Sequence, residues 1–164
     1  MNKENKKWCL LIRSVPFQQL DKIVPKVKEK FPEVQLAVLT HRHGVEMASK
    51  YQEVDEVIPY LETGSFDRSR LPEAVRSRSW DAVIAPVANE SGSGFHNVLH
   101  CALAVPAKQH WMVNLPGEMT PIQSSKILWQ TLRNGFYAFV AVLAASVLWL
   151  PWVVAFSLYP RRGE

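Results

Sequence analysis

Residues Trp8–Thr40, WCLLIRSVPFQQLDKIVPKVKEKFPEVQLAVLT, switch twice between two apolar patterns, and the switching decides the fold. Trp8–Ile12 is a short continuous apolar run, the pattern of a strand buried on both faces. Leu20, Ile23, Val24, Val27 and Phe31 then recur at helical spacing, with Lys and Glu on the other side. Val34–Thr40 returns to the continuous run. Strand, helix and strand in that order make a βαβ unit, with two parallel strands and a crossover helix.

The same alternation continues outward. Val45–Tyr51 reads as a short helix opened by Gly44, and Glu56–Pro59 as a brief third strand. A helix around Leu71–Arg76, a fourth strand at Asp81–Val87, a helix at Phe95–Ala104 and a last strand at Gln109–Val113 follow. The predicted architecture is α/β: a Rossmann-like parallel sheet of about five strands over residues 1–116. Thr120-Pro121 has the pattern of an N-cap followed by proline at the first helical position, which predicts an amphipathic helix over 117–134.

Gly135–Tyr159 carries no charged side chain. At ~1.5 Å of rise per residue such a helix crosses a hydrocarbon core of ~30 Å. The expectation is a transmembrane helix over 135–159 with a short tail at 160–164, and the lipid bilayer as a partner. MNKENKKWCLLIR at the start lacks the apolar core of a secretory signal. A single-pass membrane protein with a cytoplasmic head is therefore expected, in the inner membrane if bacterial.

Composition narrows the function. The formal net charge of +4 is too mild to argue for nucleic acid. Cys9 and Cys101 have neither metal-binding spacing nor a disulfide framework, and both fall in apolar runs that predict buried thiols.

In open α/β sheets ligands bind beyond the carboxyl ends of the strands. Three loops converge there: Arg13–Gln19, His41–Gly44 and Asn89–Asn97. The candidate cleft residues are Ser14, Gln18 and Gln19 from the first, with Asn89, Ser91, Gly92, Ser93, Gly94 and His96 from the third. Two glycines and two serines ahead of a helix can expose backbone donors to an anionic group. The loop is neither G-x-G-x-x-G nor a P-loop with its lysine, so a plain βα connection fits it as well. His41 and His43 alternate and point opposite ways in an extended chain, which argues against joint metal ligation. No catalytic triad, metal site or cofactor is expected.

LLIRSVPFQQLDKIVPKVKEKFPEVQLAVLTHRHGVEMASKYQEVDEVIPY resembles the N-terminal half of heptosyltransferase-like glycosyltransferases, which have the two-domain GT-B fold. Arg13, Pro25, Phe31-Pro32, Val34–Thr40 and Val54–Tyr60 carry the resemblance, which continues weakly through Trp80–Ile84. In that family a Gly-Asp pair in the first loop faces the acceptor, and its carboxylate is implicated in catalysis. Gln18 and Gln19 stand at those positions here, and an amide is no general base at neutral pH. The donor-binding second half has no counterpart in the chain.

The resemblance thus implies a membrane-anchored glycosyltransferase-like half, inactive alone, facing a glycan or glycolipid acceptor and completed by a donor-binding protein partner. The alternative is a non-catalytic accessory or scaffold subunit of a larger integral membrane complex.

Overall fold

The computed structural model describes residues 6–90, 92–123, 129, 133, 135–137, 139–147 and 149. The chain divides into two compact units, Met1–Ile122 and Gln123–Glu164.

In the first unit, strands β1 (Lys7–Ile12), β2 (Val34–His41), β3 (Glu56–Tyr60), β4 (Trp80–Pro86), β5 (Ala107–Val113) and β6 (Met119–Pro121) form one sheet. Helices α1 (Phe17–Lys30), α2 (Val45–Ala48), α3 (Glu73–Arg76) and α4 (His96–Ala104) connect the first five. The strand order is β3-β2-β1-β4-β5-β6. All neighbours are parallel except β5 and β6, which are antiparallel. The architecture is Rossmann-like, and the order reverses between β1 and β4. That reversal opens a crevice at the carboxyl ends of the strands.

β1 is central because it is apolar on both faces. Cys9, Leu10, Leu11 and Ile12 are all fully buried, and Leu10 is flanked by Ala37 on β2 and Val83 on β4. Cys9 and Leu11 share a cluster with Leu20, Ile23, Val24 and Val27 of α1. Each such aliphatic side chain contributes about 1.5–3 kcal/mol on full burial. Both cysteines are buried and free, and burial pushes each thiol up to about 12.

Carboxylates fix the opposite, amino-terminal edge. Asp81 Oδ2 accepts from the Trp8 amide at 2.9 Å, and Asp55 Oδ2 accepts from the Leu36 amide at 2.8 Å. Lys108 Nζ lies 2.7 Å from Asp81 Oδ1 and holds that carboxyl below its ordinary range.

Two expectations change. Thr120 and Pro121 do not open a helix: they lie in β6, where Trp111 pairs with Pro121 and Met112 with Thr120. Proline is tolerated there because β6 is an edge strand, where a missing N–H interrupts no interior ladder. The second correction concerns the membrane. Among the described residues no helix is long and apolar enough to cross a bilayer. The expected single-pass membrane location is overturned on this finding. The described residues between 129 and 149 are helical. Residues 150–164, which include the end of the expected span and its tail, lie outside the described residues.

Candidate functional site

At the carboxyl edge the connections after β1, β2, β3 and β4 enclose an open cleft of about 800 Å³. Each wall follows from a local feature of the chain. The Arg13 amide donates to Leu39 O at 2.9 Å, which carries the β1–β2 ladder one residue past β1. Pro16 then ends the extended segment and α1 begins without a side-chain cap, so Phe17 and Gln18 of its first turn face the cleft. Ser14 Oγ donates to Pro86 O and ties the β1 loop to the end of β4 across the strand-order reversal.

β2 ends at His41 and passes directly into a tight 3-10 turn, Arg42–Gly44. That turn cancels the strand alternation. The rings of His41 and His43 stack 5.7 Å apart at 16°, instead of pointing to opposite sides as an extended chain requires. Gly44 makes room for this: a Cβ there would collide with Thr40 Oγ1 and lie 3.2 Å from Arg13 Nε.

Arg13 is the hub. Its Nε–H donates to Thr40 Oγ1 at 2.7 Å, Nη2 lies 3.2 Å from His43 Nε2, and Nη1 is 3.5 Å from Val15 O. The guanidinium also lies 4.8 Å from the Phe17 ring centroid. Burial lowers its pKa from the ordinary arginine value. His41 Nε2 lies 2.8 Å from Gly64 O, and since a carbonyl only accepts, that nitrogen carries the proton. Its ring packs edge-on against Tyr60 at 5.2 Å and tilted against Phe66 at 4.6 Å. Burial lowers the pKa of His41, with smaller contributions from Arg13 and His43; the bond to Gly64 O opposes them.

Of the residues singled out from sequence, Ser14, Gln18 and Gly94 line the cleft. Gln19, Asn89, Gly92, Ser93 and His96 are not among its lining residues. Gln19 Oε1 and His96 Nδ1 are buried without a hydrogen-bond partner among the described residues. Asn89 Nδ2 donates to Ser93 O at 2.8 Å, a bond within the loop. Gly92 is buried with φ +68°, and a Cβ on it would meet Leu99 and Met112 at 2.9 Å. It serves close packing of the loop onto α4 and β5. Ser91 lies outside the described residues.

Sequence reasoning did not place Arg13, His41, His43, Ser65, Phe66 and Asn97 among the candidate site residues. For Arg13 a signal existed, since a basic residue directly follows a strand buried on both faces. For Ser65 and Phe66 there was none, because the β3–α3 connection has no motif.

No carboxylate lines the cleft among the described residues. Nor is any group of three His, Cys, Asp or Glu placed to hold a metal ion among them. The described lining is basic and aromatic, with Arg13, His41 and His43 beside Phe17, Phe66 and Phe95. Compared with family models, curated proteins and solved structures, the chain finds no match in any of the three.

Proposed function

We propose that this domain is a ligand-binding half of glycosyltransferase type, which holds a glycan acceptor in the carboxyl-edge cleft and does not transfer sugar by itself. A protein partner supplies the donor-binding lobe. The observation that carries this reading is the cleft's composition: it sits at the strand-order reversal, where open α/β sheets bind ligands, and no carboxylate lines it among the described residues. Gln18, at a position where the resembling family has a residue of its Gly-Asp pair, faces the same cleft and cannot act as a general base at neutral pH.

That same amide favours a second reading, a non-catalytic accessory subunit whose cleft serves docking within a larger assembly. Affinity capture with the full chain separates the two. A nucleotide-sugar-binding protein is recovered under the first reading, and only subunits without donor-binding capacity under the second. Thermal-shift titration of the full chain adds a direct check. Nucleotide sugars are expected to give no stabilisation and neutral oligosaccharides a measurable one. Unaided turnover of a nucleotide sugar would contradict both readings.

A further inference from the structure

We propose that the Arg13–His41–His43 corner of the cleft is a binding site for a phosphomonoester, so that the ligand is a phosphorylated small molecule. The inference rests on the reading of this cleft as a ligand site, but not on the resemblance to glycosyltransferases.

The first support is an unneutralised cation. Arg70, Arg76 and Arg78 each lie within ion-pair distance of a carboxylate, on Glu62, Glu73 and Glu56. Arg13 is half-buried, and no carboxylate lies within that distance among the described residues. A partly desolvated charge without a counter-ion is unfavourable, and an anionic ligand removes the penalty.

The second support is the count of donors. A guanidinium has five N–H groups. Thr40 Oγ1 takes the Nε–H, Val15 O one Nη1–H and His43 Nε2 one Nη2–H, which leaves one on each terminal nitrogen. One N–H on each terminal nitrogen is what a guanidinium uses to grip two oxygens of an oxyanion. Since guanidinium only donates, His43 Nε2 accepts, and the His43 proton sits on Nδ1 as a further donor. His41 donates through Nε2 to Gly64 O, so its Nδ1 holds a lone pair that becomes a donor when the ring is protonated. The three terminal oxygens of a phosphate have lone pairs for all of these, and its charge of about −1.5 to −2 answers a protonated His41 as well as Arg13, where a carboxylate brings a single charge.

The third support is size. About 800 Å³ is far more than a phosphate group fills and falls within the ~300–1,000 Å³ of small-molecule sites. Phe17, Phe66, Phe95 and Val98 offer apolar surface for the ligand's organic body, with Ser65 and Asn97 as polar partners.

Protonation couples to binding. The charged and titratable groups facing His41 are Arg13 from the end of β1, His43 from the 3-10 turn and Tyr60 from β3. Arg13 opposes a second positive charge on the ring, and a bound dianion reverses that balance.

The test is calorimetric titration of the full chain with inorganic phosphate, sulfate, glucose 1-phosphate and glucose. Phosphate, sulfate and the ester are expected to bind, and the ester most tightly. His43→Gln, at an exposed position, should weaken all three by about tenfold, as should Arg13→Lys, which loses the fork. Sulfate keeps its charge near neutrality and should bind more tightly at about pH 6 than at about pH 8, a dependence that His41→Gln reduces. Anion binding unchanged in both His43→Gln and Arg13→Lys would overturn the proposal by placing the ion elsewhere. Binding of a neutral oligosaccharide with no phosphate binding would overturn it too, while leaving the proposed function intact. Phosphate binding without glycan binding would uphold this site and overturn the glycan-acceptor reading instead.

Discussion

His41 is a residue whose ionisation the fold works against, and this sets a pH dependence. Burial, Arg13 and His43 hold its pKa below the ordinary 6.5. The unfolded chain therefore binds the proton more readily than the native one. The stability contribution is fully present above pH 6.5 and is lost as the pH falls through that value toward the lowered native pKa. Urea midpoints measured across that window should fall with pH, and His41→Gln should flatten the slope. A midpoint that rises on acidification would contradict this. Gly44 acts through space alone. Gly44→Ala puts a methyl group against Thr40 and Arg13 and should destabilise by about 1–3 kcal/mol, read by chemical denaturation. Neither effect was legible in the sequence. His41 and His43 look like alternating strand positions, and only the 3-10 turn immediately after β2 brings their rings together.

At the scale of elements, α1 carries an internal proline on its exposed side. Pro25 has no N–H to offer the Asp21 carbonyl, and its ring crowds the preceding turn. Because the side chain is exposed, Pro25→Ala should remove that strain without losing core packing. It should raise stability by about 1–3 kcal/mol in a denaturant titration. Trp80 at the start of β4 behaves in the opposite way. It is fully buried, donates Nε1–H to Val75 O at 3.0 Å and meets Trp8 edge-on at 6.3 Å. Trp80→Ala should cost about 3–5 kcal/mol by the same measurement. β1, α1 and β2 were readable because two-sided burial and one-sided burial leave different periodicities. β6 was not. Three residues show no period, and Thr120-Pro121 satisfies the local rules for a helix start; pairing with β5 decides the matter. A local rule lost to a tertiary one.

Across the sheet, the two edges differ in electrostatic character. At the amino edge Lys7, Lys28, Arg78 and Lys108 pair with Glu33, Asp55, Glu56 and Asp81. Asp55 and Asp81 also accept strand amides, so carboxylates at that edge answer both cations and backbone donors. At the carboxyl edge Arg13 and two histidines line an open cleft with no carboxylate among the described lining residues. The strand order that creates this cleft was foreseeable in class but not in detail. Alternating strands and helices imply a parallel sheet, whereas its reversal between β1 and β4 depends on which side each crossover takes. Of the candidate cleft residues, Ser14 of the β1 loop, Gln18 of α1 and Gly94 line it. Most of the Ser/Gly-rich loop was absorbed into its own packing around Gly92 and the Asn89–Ser93 bond. The most direct measurement is a backbone amide shift map of the full chain titrated with glucose 1-phosphate. Perturbations are expected at 13–18, 41–47, 64–66 and 94–98. Shifts centred on Lys7, Glu33 and Lys108 at the amino edge, or none at all, would contradict the assignment of the carboxyl-edge cleft as the ligand site.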